Sequence, residues 1–123
     1  MEILVVAIGG AIGSVARYLT SGWAAARFGA DFPYGTLMVN VVGCFIIGVF
    51  MTLTTERLII GPYWRLFIAV GFLGGLTTFS SFSYETIRLL QEADMLRAFY
   101  NAGLNVLIGF TATLLGIGAA RFL

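Results

Sequence analysis

Four long runs of mainly apolar residues, separated by short polar breaks, fix the solvent of this chain before any motif is considered. A helix needs about 20 such residues to cross the hydrocarbon of a bilayer. Residues 3–23, 35–55, 62–90 and 96–122 each provide that length. Between them stand Asp31-Phe32-Pro33-Tyr34-Gly35, then Glu56-Arg57 with Gly61-Pro62, then Gln91-Glu92-Ala93-Asp94. These are turn and helix-boundary compositions. Hydrophobic residues make up 59% of the 123 positions and charged ones 11%, too apolar for an ordinary soluble domain. The expected fold is one all-α integral membrane domain over residues 1–123, with four transmembrane helices set in membrane lipid.

Composition also removes whole classes of chemistry. There is no His, which excludes Ser-His and Cys-His catalysis and the commonest metal ligand. The single Cys, Cys44, allows no intrachain disulfide and no multi-Cys zinc site, and reads as a small apolar filler. A net charge of +1 gives no reason to expect a nucleic-acid partner. The chain starts Met1-Glu2 without a basic region, so the first apolar run is read as a membrane helix and not as a cleaved signal.

The third run is the unusual one. Gly71-Phe72-Leu73-Gly74-Gly75-Leu76-Thr77-Thr78-Phe79-Ser80-Ser81-Phe82-Ser83 places a glycine pair and a dense set of hydroxyls inside an apolar segment. Each helix-interior glycine costs roughly 1 kcal/mol relative to Ala. Non-helical backbone at membrane depth is tolerated only where protein or a water-filled cavity satisfies it. The third helix is therefore expected to be broken near its middle. Half-helix ends at such breaks serve as ion sites, carbonyls for cations and N–H groups for anions.

This stretch resembles the signature of the CrcB/Fluc family of fluoride channels. Gly9-Gly10-Ala11-Ile12-Gly13-Ser14-Val15-Ala16-Arg17-Tyr18 and Gly35-Thr36-Leu37-Met38-Val39-Asn40 agree with it, in the family's order over essentially the whole chain. The third-helix motif is the specific part. The resemblance implies a passive fluoride channel of the cell inner (cytoplasmic) membrane, multi-pass and not an enzyme, that exports fluoride to relieve its toxicity. It also implies an antiparallel, dual-topology homodimer with two pores. A structural Na⁺ at the dimer centre would be held by the backbone carbonyls of Gly74 and Thr77.

The residues carry their own readings beside that resemblance. Gly9, Gly13 and Arg17 fall on one face of the first helix, where the glycines permit close helix approach. Arg17 either snorkels to the headgroups or faces a vestibule that draws anions; the resemblance favours the vestibule. Asn40 either bonds a neighbouring helix or lines a polar path; the family has a pore-lining Asn here. Phe79 and Phe82, at i and i+3, either pack or line the path, where their ring edges carry partial positive charge. Thr78, Ser80 and Ser81 are interleaved with them as hydroxyl donors. Weak, multi-site binding is what conduction needs. In the family, Phe residues at these positions line the ion path.

Glu85, about a turn later, is either bonded to the hydroxyl run or the acid of a proton-coupled carrier. That alternative is a small four-helix secondary transporter; a third reading is an accessory subunit without transport. Asn101, Asn105, Gly109 and Thr113 form a small and polar stripe on the fourth helix. The family commonly has Ser or Thr near Gly109, so Thr113, with Thr111 as a second candidate, is expected to carry that polar track. Finally, Arg57, Arg65 and Arg121 fall on the side of the termini, and Arg17, Arg27, Arg88 and Arg97 on the other. Three against four gives the positive-inside rule almost no bias to act on, which fits insertion in both orientations.

Overall fold

The computed structural model describes residues 1–123. Helix α1 spans Glu2–Phe28 and α2 spans Tyr34–Glu56. The third span, Pro62–Gln91, contains two helical pieces. The first, α3 (residues 62–76), opens with Pro62–Arg65, widens into π-helical turns over Leu66–Phe72 and closes with Leu73–Leu76. The second, α4, is Phe79–Gln91. Helix α5 (Met95–Phe122) has a shorter π-helical stretch at Leu104–Ile108. All four spans are long and apolar enough to cross a membrane.

Helix α1 runs on past Trp23 because Ala24-Ala25-Ala26-Arg27 are strong helix formers. It stops at Gly29, whose φ of 89° suits glycine. At the third span, Pro62 starts the helix in the first turn, where its missing N–H costs nothing. Asp94 caps α5 by accepting the Arg97 N–H at 3.2 Å and also pairs with the Arg97 guanidinium at 3.1 Å.

Glycines set the helix spacing. Gly9 and Gly13 of α1 lie directly against α3, so a side chain at Gly9 would sit 2.5 Å from the Phe67 carbonyl oxygen. From the other side, a Cβ at Gly75 would meet the Gly10 carbonyl at 2.6 Å. On the opposite flank, Gly48 of α2 and Gly116 of α5 bring those two backbones together in the same way. Dispersion between closely packed backbones, together with interhelical hydrogen bonds and not water exclusion, holds helices together in lipid.

The interior is small. Val39, Leu73 and Leu76 form its centre, with Ile46, Ile47 and Phe72 packed around them. Only 20 of 123 residues are buried, and side chains such as Ile3, Phe110 and Leu114 point outward. A chain this apolar with so little buried needs an apolar surrounding.

Candidate functional site

The site is built around two residues. Thr77 and Thr78 have extended backbone (φ −84°, ψ 156° and φ −151°, ψ 126°) between the end of α3 and the start of α4. Extended residues cannot use the i−4 helical bonds, so their polar groups need other partners. Thr77 solves this locally: its N–H and its hydroxyl both donate to the Leu73 carbonyl, at 3.0 and 2.9 Å. The Thr77 carbonyl accepts no hydrogen bond. Thr78 is held from α2, since Asn40 Oδ1 accepts its N–H at 2.9 Å and Asn40 Nδ2 donates to its carbonyl at 3.1 Å. The Thr78 hydroxyl then caps α4, accepting the Ser81 N–H at 3.2 Å.

These residues line an open cleft of about 480 Å³ on the surface of the chain. Seven of the expected site residues meet there: Asn40, Gly74, Thr77, Thr78, Phe79, Phe82 and Asn105. The Phe79 and Phe82 rings are tilted at 59° with centroids 5.6 Å apart. Phe79 is 78% exposed, so packing within this chain does not account for its position. Gly74 faces the cleft with almost nothing near: a Cβ there would meet only the Ala69 carbonyl, at 4.0 Å.

Arg17 points into the fold. Its Nε donates to the Gly75 carbonyl at 3.0 Å, which places a cation at the C-terminal end of α3, the negative end of that helix dipole. Asn101 and Asn105 are buried, and Asn105, on the wall of the cleft, accepts from Asn40 Nδ2 through its Oδ1 at 2.9 Å. Ser80 is exposed, its hydroxyl 3.4 Å from that of Thr78, and no bond engages the Ser81 hydroxyl.

Two expected residues lie elsewhere. The Thr113 hydroxyl faces the carbonyls of Cys44 and Gly109, each at 3.2 Å, and sits in a separate hollow beside Met51 and Thr52. Glu85 lies in another hollow of about 200 Å³, with Thr36 and Arg88 on its walls. Its Oε1 is buried without a hydrogen-bond partner, so no hydroxyl of residues 77–83 reaches that oxygen. Three participants were not anticipated: Gly75 as the acceptor for Arg17, Thr86 as the acceptor for Asn101, and the Cys44 carbonyl. Each contributes through a contact between elements, and local sequence does not show that contact.

A glycine-lined helix pair, an extended link beside a phenylalanine pair, and an asparagine from another helix holding that link together form an arrangement specific enough to compare. The family model described as CrcB-like protein, Camphor Resistance (CrcB), matches residues 4–117. The chain belongs to the CrcB-like family.

Similarity to other CrcB-like chains runs end to end. A relative from Sulfurihydrogenibium sp. (strain YO3AOP1), named fluoride-specific ion channel FluC, is 50% identical over 99% of this chain and 98% of its own length. One of the same name from Geobacter metallireducens is 48% identical over 100% and 99%. Another from Solibacter usitatus is 50% identical over 98% and 99%. These names describe a channel and not an enzyme. With its four spans, this CrcB-like chain is a multi-pass membrane protein.

Proposed function

We propose that this chain is a fluoride-selective passive channel that exports fluoride across the cytoplasmic membrane and relieves fluoride toxicity. The observation that carries the reading is the end-to-end identity with relatives named fluoride-specific ion channels. The chemistry of the cleft supports it. Phenyl edges offer partial positive charge without a full-charge trap. Beside the cleft, in the first turn of α4, the Ser80 and Ser81 hydroxyls offer donors. The start of α4 turns the positive end of its dipole toward the same place. Arg17 adds charge behind the link.

The working unit in this reading is an antiparallel, dual-topology homodimer with two pores. An open cleft carrying an exposed Phe79 supports it, because a second copy would close that surface. The third helix is read as functionally broken at Thr77–Thr78. A central structural Na⁺ fits the donors present: the Thr77 carbonyl has no other partner, and open space adjoins Gly74. No group of three or more His, Cys, Asp or Glu side chains offers a site to a more demanding metal. The Gly74 and Thr77 carbonyls of both copies would hold the ion, which would fix the two links against each other.

The test is fluoride efflux from liposomes carrying the purified protein, read with a fluoride electrode beside chloride efflux. Fast fluoride loss with little chloride loss is the expected result. No fluoride loss from well-folded protein would overturn the reading. A second reading, a proton-coupled carrier, is favoured by the unpartnered Glu85 carboxylate oxygen. Uphill fluoride uptake driven by a pH gradient would select it.

A further inference from the structure

Asn40 is one rung of a longer hydrogen-bonded ladder. Thr78 N–H donates to Asn40 Oδ1 at 2.9 Å, and Asn40 Nδ2 donates to Asn105 Oδ1 at 2.9 Å. Asn105 Nδ2 donates to Asn101 Oδ1 at 3.0 Å, and Asn101 Nδ2 donates to Thr86 Oγ1 at 2.8 Å. The Thr86 hydroxyl donates to the Phe82 carbonyl at 2.8 Å. The ladder leaves α4 at its N-cap, crosses α2 and α5, returns to α4 at Thr86 about two turns on, and ends on the Phe82 carbonyl.

Its polarity is fixed by its ends. A backbone N–H can only donate and a carbonyl can only accept, so the Thr78 and Phe82 ends force every amide between them into one orientation. Turning any single amide around breaks the bonds on both sides of it. Aligned bonds also polarise one another, so the set is stronger than its separate members. Asn105 does a second job. It donates to the Asn101 carbonyl at 2.8 Å, where α5 widens into its π-helical turns and the normal backbone pairing is disturbed. Asn101 is fully buried, so the ladder has no competing water at that rung.

We propose that Asn105 and Asn101 are positioning residues for the ion path and act through Asn40. Held in one orientation, the Asn40 amide keeps Thr78 extended and fixes the turn that carries Phe79 and Phe82. Both Asn40 N–H groups are committed, one to Thr78 and one to Asn105. Engaged on both sides, Asn40 acts as the bracket of the site. The role in the ion path rests on the fluoride reading above; the hold on Thr78 does not.

The experiment has two arms on full-length protein. In the first, hydrogen–deuterium exchange of the Thr78 amide is followed by NMR in nanodiscs, with the Val49 amide as control. Asn105→Leu keeps the approximate bulk but has no acceptor for Asn40 and no donor for Asn101. It is expected to speed Thr78 exchange about tenfold or more and leave Val49 unchanged. Asn105→Ser, which retains a donor and an acceptor, recovers part of the protection. In the second arm, fluoride efflux per folded protein falls about tenfold in Asn105→Leu. The Asn40→Ala/Asn105→Leu double variant loses no more than Asn40→Ala alone, the signature of residues acting as one unit.

Unchanged Thr78 exchange in Asn105→Leu overturns the ladder. Faster exchange with unchanged flux, or losses that multiply in the double variant, overturns the positioning role. If Asn105→Leu does not fold, Asn101→Ser shortens the next rung and is held to the same readings at smaller amplitude. A wild type that passes no fluoride overturns the fluoride reading instead, and Thr78 exchange then decides the ladder by itself.

Discussion

Asn40 closes both hydrogen-bonding groups of one backbone residue, Thr78, accepting its N–H at 2.9 Å and donating to its carbonyl at 3.1 Å. A side-chain amide matches a peptide group in shape and polarity, so a single asparagine substitutes for the helical bonds that an extended residue lacks. Asn40→Ala leaves both groups without partners. The predicted cost is roughly 1–3 kcal/mol for each group that water does not reach. Thermal unfolding in detergent measures it, and an unchanged midpoint would mean that Thr78 does not depend on this clamp.

The glycine contacts predict a contrast between positions. Gly75→Ala pushes a methyl toward the Gly10 carbonyl, 2.6 Å from its ideal Cβ position. Overpacking of this kind costs about 1–3 kcal/mol. Gly118 has nothing within 4 Å of its own Cβ position, so Gly118→Ala should be neutral or gain up to about 1 kcal/mol from helix propensity. Equal effects of the two substitutions on the unfolding temperature would contradict the packing described for α1 and α3.

Much of this was legible in the sequence, for identifiable reasons. The four spans follow from the length of the apolar runs, which no tertiary contact needs to supply. Gly9, Gly13 and Arg17 could be placed on one face because helical periodicity is local. The partner of Arg17 could not, because Gly75 is brought there by the fold. The same holds for Asn40 and Thr78, whose pairing spans 38 positions. Asn101 and Asn105 were visible as a polar stripe, but their bonding through Thr86 back to α4 was not. The π-helical turns at Leu66–Phe72 and Leu104–Ile108 have no composition that marks them in the sequence. Thr113 shares a face with the stripe, yet its hydroxyl faces the Cys44 and Gly109 carbonyls, because α2 and α5 approach closely there.

The arginine distribution predicts topology. With three arginines on one side and four on the other, C-terminal tags on the active protein should be found on both sides of the membrane. Added lysines at one terminus should bias insertion and lower activity, with rescue by an oppositely biased copy. One fixed orientation for the unmodified active protein would contradict the antiparallel dimer.

Glu85 separates channel from carrier. Its hollow lies apart from the phenylalanine cleft, so Glu85→Gln is expected to conduct fluoride within a few-fold of wild type, and a pH gradient alone should drive no accumulation. Proton-driven accumulation that disappears in Glu85→Gln would transfer the function to that hollow.

The central claim is that Phe79 and Phe82 line the path of the ion, and fluoride efflux per folded protein in Phe82→Ile tests it most directly. The measurement is made beside the thermal stability of the same preparation. Isoleucine keeps most of the bulk and all of the apolar character, so packing alone should cost no more than about 1–3 kcal/mol. It has no ring edge to meet an anion. The predicted result is a fall in efflux of a hundredfold or more (about 2.7 kcal/mol in barrier) while the folded protein survives extraction and its unfolding temperature shifts by only a few degrees. Efflux that stays near wild type, or that declines only in step with unfolding, would contradict the account and return both rings to a packing role.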